Sequence, residues 1–364
     1  MKIAVMAPLV TAIREPQRGG SQAFVSDLAR GLAGRGHDVQ VYAAAGSEIA
    51  GVEVIDTGVD PESLAGTLYR VTGPPGGVTV DPRPEAAAAA ESAFTAAYSR
   101  MQLSRYDLVH NHAFDAPAVR LATTLHVPVV HTLHLPPDTA VSAALRDAAR
   151  GGRPPTVACV SAFQASAWRR VVPVDAVLPP YPPTGVIPWS ATVGQGALFA
   201  GRLSPEKGAA EAIDIASAAG VPIDVYGDPY DLQYALEQIE PRRGRTGVTI
   251  HQAVRRTKLW EVMARAAVVL CPSRWDEPFG MVAAEAQACG TPVVAFRRAG
   301  LNEVIMDGVT GFLVPPGDIG AASEAASEVS GLSRLACREH AVGQLDLELS
   351  LDAHERVYRQ VAGG

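Results

Sequence analysis

The stretch Glu277-Pro-Phe-Gly-Met-Val-Ala-Ala-Glu285 carries two carboxylates at the start of a predicted helix. The apolar run Ala267-Val-Val-Leu-Cys-Pro272 precedes it, and Thr291-Pro-Val-Val-Ala-Phe296 follows it. Both runs have the composition of buried strands. Strand, helix and strand in this order form a β-α-β unit, which builds parallel sheets with helices on both faces. The stretch therefore predicts an α/β fold, in which ligands bind at the carboxyl ends of the strands.

The same stretch favours an anion site. Pro278 disfavours helical geometry at Glu277 and suits the first position of a helix, so Glu277 is predicted on a loop. The N–H groups left without helical partners by this start are those of Phe279, Gly280, Met281 and Val282. They attract anions, Gly280 admits a ligand close to the backbone, and Glu285 is predicted to face the same site. An isolated pair of carboxylates is ordinarily solvated surface, but the flanking strands favour a nucleotide-sugar site.

Composition restricts the class of protein. The chain has 364 residues, with 48% apolar and 19% charged residues, which indicates a globular protein of two domains. The net charge of −7 argues against nucleic acid as a partner. The absence of a long apolar run or signal peptide predicts a cytoplasmic protein without a transmembrane segment. The cysteines lack metal-ligand spacing and are predicted to be buried free thiols: Cys159, Cys271, Cys289 and Cys337.

The pattern of strands and helices occurs twice along the chain. Residues 1–185 are predicted to form a Rossmann-like domain, and residues 186–350 a second one. Residues 351–364 are predicted to form a helix that packs back toward the first domain. Val177-Leu-Pro-Pro-Tyr-Pro-Pro183 cannot continue a helix or a sheet and is predicted to link the domains. Residues 73–100 read as a Gly/Pro turn followed by an exposed alanine-rich helix. The expected fold is two doubly wound domains that face a central cleft.

Two glycine-containing loops are candidate phosphate sites. Gly201-Arg-Leu-Ser-Pro-Glu-Lys-Gly208 joins a predicted strand to a predicted helix. The guanidinium of Arg202 can bind a diphosphate through two parallel hydrogen bonds, and the ammonium of Lys207 can bind it as a point charge. Gly19 and Gly20 follow the first strand and would let the backbone approach a phosphate, although a lone Gly-Gly is more often a simple turn.

Four histidines are predicted to lie at the carboxyl edge of the first sheet, since each pair follows a strand: His110, His112, His131 and His134. The chain has no H-E-x-x-H motif and no cysteine near these histidines, so we predict no metal site. We interpret His134 as a hydrogen-bonding residue of the cleft and His110 as a packed structural residue.

Together these motifs resemble the retaining glycosyltransferase family 4, which has the GT-B fold. The motifs that carry the resemblance are Gly19-Gly20, the loop 201–208, Glu277-Pro-Phe-Gly with Glu285, Asn302-Glu303 and Asp307-Gly-Val-Thr-Gly-Phe-Leu-Val314. The resemblance covers nearly the whole chain and is specific in the second half.

The resemblance implies a role for each candidate residue. Arg202 and Lys207 would bind the diphosphate and Glu285 the ribose hydroxyls. Glu277, with the backbone at 279–282, would hold the sugar and phosphate. Gly20 would belong to the phosphate-side loop, and His134 would lie beside the transferred sugar. The family implies no cofactor or metal, a UDP- or GDP-sugar as co-substrate, and a front-face substitution in which the leaving phosphate takes the acceptor's proton.

Three hypotheses stay open at this point. The first is a retaining, metal-independent hexosyltransferase that acts on a small soluble hydroxyl acceptor. The second is a nucleotide-sugar epimerase or hydrolase of similar fold, which would turn over donor without acceptor. The third is a non-catalytic nucleotide-sugar-binding protein, against which the joint presence of Arg202, Lys207, Glu277 and Glu285 argues. The acceptor, the base and sugar of the donor, and the oligomeric state cannot be predicted from the sequence.

Overall fold

The computed structural model describes residues 1–61 and 84–363, with the backbone of two short strands between them. In chain order the strands are β1 (Lys2–Met6), β2 (Asp38–Ala43), β3 (Glu53–Asp56), β4 (Arg70–Val71), β5 (Val78–Thr79), β6 (Leu108–Asn111), β7 (Val129–Leu133), β8 (Thr156–Cys159), β9 (Ala176–Val177), β10 (Ala197–Ala200), β11 (Ile223–Tyr226), β12 (Val248–His251), β13 (Val268–Cys271), β14 (Val293–Phe296) and β15 (Gly311–Val314).

Helices alternate with these strands. They are α1 (Gly20–Gly34), α2 (Pro84–Gln102), α3 (Ala116–Ala122), α4 (Thr139–Arg150), α5 (Ala162–Trp168), α6 (Ala209–Ala218), α7 (Leu232–Tyr234), α8 (Glu240–Arg243), α9 (Arg256–Met263), α10 (Met281–Ala288), α11 (Leu301–Val304), α12 (Ile319–Glu328), α13 (Arg334–Gln344) and α14 (Leu347–Ala362). A π-helical turn at Ala235–Ile239 joins α7 to α8, and short 3-10 turns lie at Thr184–Val186 and Val329–Gly331. No helix in the described part of the chain is long and apolar enough to cross a membrane.

The chain forms two compact units, of which the first comprises Met1–Pro180 and Leu347–Gly364. Its sheet is parallel, in the order β3-β2-β1-β6-β7-β8-β9. Every residue of β6 is buried, as expected for a central strand covered by helices on both faces. Helix α14 packs against α1, where Arg35 bonds to Glu348 and Asp352. The C-terminal helix is therefore part of the first unit.

The second unit comprises Tyr181–Asp346. Its sheet is also parallel, in the order β12-β11-β10-β13-β14-β15. Residues from β10, α6, β11, β13 and β14 form one buried apolar cluster, which includes Phe199, Ile213, Val225, Leu270 and Phe296. Each unit is thus a Rossmann-like doubly wound sheet, and the predicted GT-B architecture of two such sheets is confirmed.

Two local predictions were wrong. Helix α2 is not simply exposed, because Ala86, Ala90, Phe94 and Tyr98 recur every four residues and bury one face. The alanine run hid this period, since alanine is common on both faces of a helix. The turn predicted before α2 lies mostly outside the described residues. Val177 pairs with Cys159 in β9, so the Pro-rich stretch begins as an edge strand, a position that tolerates a following proline.

Candidate functional site

Two loops meet at the carboxyl edge of the second sheet. Strands β10 and β13 are neighbours, and the strand order reverses between them, so the loops 201–208 and 272–280 leave the sheet side by side. The contact between the loops is close at Gly208, which has φ +77°. A Cβ at this position would lie 2.1 Å from the carbonyl oxygen of Pro272. Gly208 therefore permits both the backbone turn and the approach of the two loops.

Lys207 and Glu277 form an ion pair across these loops. The Lys207 Nζ atom lies 2.9 Å from Oε1 and 2.8 Å from Oε2 of Glu277. The Ser273 hydroxyl and the Trp275 indole N–H also donate to Oε2, at 3.2 and 2.9 Å. Burial alone would raise the pKa of Glu277, but Lys207, Trp275 and Ser273 together hold that pKa below its ordinary value. The carboxylate therefore stays ionised at neutral pH.

Arg202 is held by two neighbours in the same unit. Its Nη2 donates to Oε1 of Glu206 at 3.2 Å, and its guanidinium lies 4.4 Å from the centroid of the Tyr230 ring. Glu206 is buried, and its carbonyl accepts the N–H of Arg274 at 2.9 Å, which links the two loops again. Arg202 and Lys207 thus place two cations on one loop, each beside a carboxylate.

Helix α10 starts later than the sequence predicts. Its first residue is Met281, and Gly280 precedes it with φ +103°, a left-handed conformation that cannot lie inside a helix. A Cβ on Gly280 would lie 2.7 Å from Cδ2 of Leu301. The N–H of Ala283 already donates to the carbonyl of Gly280 at 3.0 Å. Four N–H groups were predicted to lie at the start of this helix. Those of Met281 and Val282 do, whereas those of Phe279 and Gly280 belong to the preceding loop.

Glu285 lies in α10, as the sequence predicts, but its carboxylate has a partner that the sequence did not suggest. Oε1 accepts from Nε of Arg256 at 2.5 Å, and both side chains are buried. The ion pair joins α10 to the first residue of α9. The structure therefore brings Glu277 together with Lys207, and it places the Glu285 carboxylate against Arg256.

Gly19, Gly20 and His134 belong to the first unit. Helix α1 begins at Gly20, with Gly19 as its N-cap residue. His134 follows β7 and is buried, and its Nε2 lies 2.8 Å from Nδ1 of His112. Burial lowers the pKa of His134 to about 3, with smaller contributions from His131 and His354, so the ring is neutral.

The remaining histidines of this cluster are also packed. His110 is fully buried, with Nδ1 at 2.6 Å from the Tyr358 hydroxyl and Nε2 at 2.7 Å from Oγ1 of Thr132. The interpretation of His110 as a structural residue is confirmed. No group of three histidine, cysteine or acidic side chains is arranged to hold a metal ion within residues 1–61 and 84–363.

The sequence analysis missed five side chains that hold the candidate residues: Glu206, Tyr230, Arg256, Ser273 and Trp275. Two signals were available. Trp275 lies two residues before Glu277 on a loop. In extended backbone, residues two apart point their side chains to the same side. Arg256 is the first residue of α9, where the helix dipole disfavours a positive charge. A nearby carboxylate that offsets this charge could therefore be expected. Tyr230 comes from another strand-end loop and gave no signal.

Comparison with known proteins gives matches over both units. Residues 195–337 match the family described as Glycosyl transferases group 1, and residues 18–181 match Glycosyltransferase Family 4. A D-inositol 3-phosphate glycosyltransferase of Xylanimonas cellulosilytica is 30% identical over 86% of this chain and 84% of its own.

Solved structures show the same fold. A sucrose-phosphate synthase from Thermosynechococcus elongatus aligns with a TM-score of 0.76 at 19% identity, over 99% of both chains. Anabaena HepE in complex with UDP and glucose aligns with a TM-score of 0.68 at 20% identity, over 98% of this chain and 99% of its own.

Proposed function

The chain belongs to glycosyltransferase family 4, with the GT-B fold, and from this premise we propose that it transfers a sugar from a nucleotide-diphosphate sugar to a small hydroxyl acceptor. We further propose that the transfer retains the anomeric configuration and needs no metal ion. The observation that carries the proposal is the pairing of Lys207 with Glu277 where β10 and β13 end, with Arg202 on the same loop as Lys207.

The proposed roles follow the chemistry of each group. Arg202 and Lys207 bind the diphosphate, and the N–H groups of Met281 and Val282 at the start of α10 add to the positive potential. Negative charge builds on the diphosphate as the glycosidic bond breaks, so cations fixed before the reaction stabilise the transition state more than the ground state. This arrangement supplies the stabilisation that a divalent cation gives in other transferases.

The carboxylates select hydroxyl groups. Glu277 is ionised and oriented by three donors, which suits it to accept a hydrogen bond from a hydroxyl of the transferred sugar. Glu285 is proposed to bind the ribose, with Arg256 fixing its orientation. The family resemblance assigns Gly19 and Gly20 to the phosphate and His134 to the sugar, and a neutral His134 suits a hydroxyl contact better than a charge contact.

The donor and acceptor classes rest on the relatives. HepE is described in complex with UDP and with UDP-glucose, which favours a uridine nucleotide here, with guanosine as the alternative. The curated relatives are named for inositol 3-phosphate, which favours a small polyhydroxyl acceptor.

A thermal-shift panel of UDP, GDP, ADP and TDP tests the proposal. Stabilisation by a ligand grows with the ratio of its concentration to its dissociation constant, so the nucleotide of the true donor should raise the Tm most. Nucleotide release is then followed with and without polyhydroxyl acceptors. Release that depends on acceptor supports transfer, whereas full turnover without any acceptor supports a hydrolase instead.

A further inference from the structure

Trp275 contacts the candidate carboxylate, and this contact distinguishes the two oxygens of Glu277. Its indole N–H donates to Oε2 of Glu277 at 2.9 Å, and its side chain is buried. Oε2 also accepts from Lys207 at 2.8 Å and from the Ser273 hydroxyl at 3.2 Å. Among the described residues, Oε1 accepts only from Lys207, at 2.9 Å. The two oxygens of one carboxylate are therefore unequal.

This inequality has a chemical consequence. Each carboxylate oxygen offers about two lone pairs. Oε2 already accepts from Lys207, Ser273 and Trp275, so none of its lone pairs is left for a further donor. Oε1 keeps one lone pair free. A fourth donor, such as a sugar hydroxyl, can therefore bond to Oε1 without displacing a protein group, but not to Oε2.

Packing alone does not account for the orientation of Trp275. Trp260 lies in the same unit and is buried to a similar extent, yet its indole N–H has no hydrogen-bond partner among the described residues. The fold therefore accepts a buried tryptophan without this bond. The Trp275 ring also lies 5.3 Å from the Lys207 Nζ atom, so it contacts both members of the ion pair.

We propose that Trp275 is a positioning residue whose indole N–H, with the Ser273 hydroxyl, saturates Oε2 of Glu277, so that Oε1 alone accepts a hydrogen bond from a hydroxyl of the transferred sugar. This inference rests on the proposed function. It makes Trp275 a determinant of how the sugar is oriented, acting through Glu277 without touching the reacting atoms.

The first test is a double-mutant cycle. Trp275→Phe removes the indole N–H but keeps an aromatic ring beside Lys207. Glu277→Gln removes the negative charge to which that N–H donates. With UDP-glucose as donor, Trp275→Phe should lower kcat by about 10- to 100-fold, the range for losing a hydrogen bond to a charged group, with a change in KM below about threefold. In the Glu277→Gln background, Trp275→Phe should lower kcat by less than about threefold.

The matched control is Trp260→Phe, which removes an indole N–H that has no partner and should leave kcat within about threefold. If Trp275→Phe does not fold, replacing Trp275 by β-(3-benzothienyl)alanine exchanges the N–H for sulfur at nearly constant shape. An unchanged kcat in either Trp275 variant overturns the proposal. An equal loss in both Glu277 backgrounds also overturns it, because Trp275 would then act independently of the carboxylate.

The second test does not depend on turnover. Carboxyl-13C NMR of ligand-free protein follows the titration of Glu277, assigned by its absence in Glu277→Gln. Loss of the N–H should raise the pKa of Glu277, because one donor to the charged form is gone. An identical titration in wild type and variant counts against the proposal even when the protein is active. If wild type turns over no nucleotide sugar but the titration moves, the positioning contact stands and the proposed function fails.

Discussion

Replacing Lys207 by methionine tests the ion pair at the centre of the site. Methionine keeps most of the stem and removes the charge that contacts both oxygens of Glu277. Breaking a buried pair costs about 3–5 kcal/mol of folding free energy. Here the side chains are 23% and 14% exposed, and two neutral donors remain on the carboxylate, so we expect about 2 kcal/mol. The loss of a cation from the leaving diphosphate should cost a further 2–4 kcal/mol in the transition state, or about 30- to 1,000-fold in kcat/KM.

The double variant Lys207→Met with Glu277→Gln separates these two effects. It leaves no unpaired charge, so the urea midpoint should return most of the way to that of wild type. Catalysis should not return, because neither the cation for the diphosphate nor the anion for the sugar is restored. Recovery of kcat/KM together with stability would refute the assigned role, since Lys207 would then act only by holding the loop. A normal kcat/KM in Lys207→Met alone, with the fold checked by circular dichroism, would refute it as well.

Three further predictions follow from the same structure. Glu285→Gln keeps a hydrogen-bond acceptor for Arg256 and should weaken UDP binding, measured by calorimetry, by about 5- to 50-fold. Glu277→Gln should mainly lower kcat. Equal losses of UDP affinity in the two variants would contradict this division of roles. Burial lowers the pKa of His131 and His354 to about 4 and of His134 to about 3, so the unfolded state binds more protons than the folded state below pH ~6.5. These three histidines should lower the free energy of unfolding by about 3 kcal/mol as the pH falls from ~6.5 to ~5.5. Equal urea midpoints at these two pH values would show that the histidines are not buried as described. Activity should persist in EDTA, and complete loss that a divalent cation restores would reopen the question of a metal site.

The sequence predicted the repeated architecture because buried parallel strands are short, apolar and regularly spaced. The apolar runs at 267–272 and 291–296, both predicted as strands, contain β13 and β14. The sequence did not predict β3, with the composition Glu-Val-Ile-Asp, or the two-residue β9. Both lie at the edges of their sheet, where one neighbour supplies the hydrogen bonds and an apolar run is not required.

The candidate residues could be selected from the sequence, but their partners could not. Charges near a glycine turn or a helix start are visible in a linear pattern, which is why Arg202, Lys207 and Glu277 were chosen. Which charge meets which depends on the strand order that sets the two loops side by side. The start of α10 was misplaced for a related reason, since Gly280 takes a left-handed conformation where it packs against Leu301, a contact set by tertiary structure.

Proton NMR of the product tests the central claim most directly. The protein is incubated with an α-linked nucleotide sugar and a polyhydroxyl acceptor in EDTA, and the anomeric coupling of the transferred sugar is read from the spectrum. The account predicts an acceptor-dependent product with the small coupling of an α-linkage. A β-linked product, or free sugar as the sole product, would contradict it.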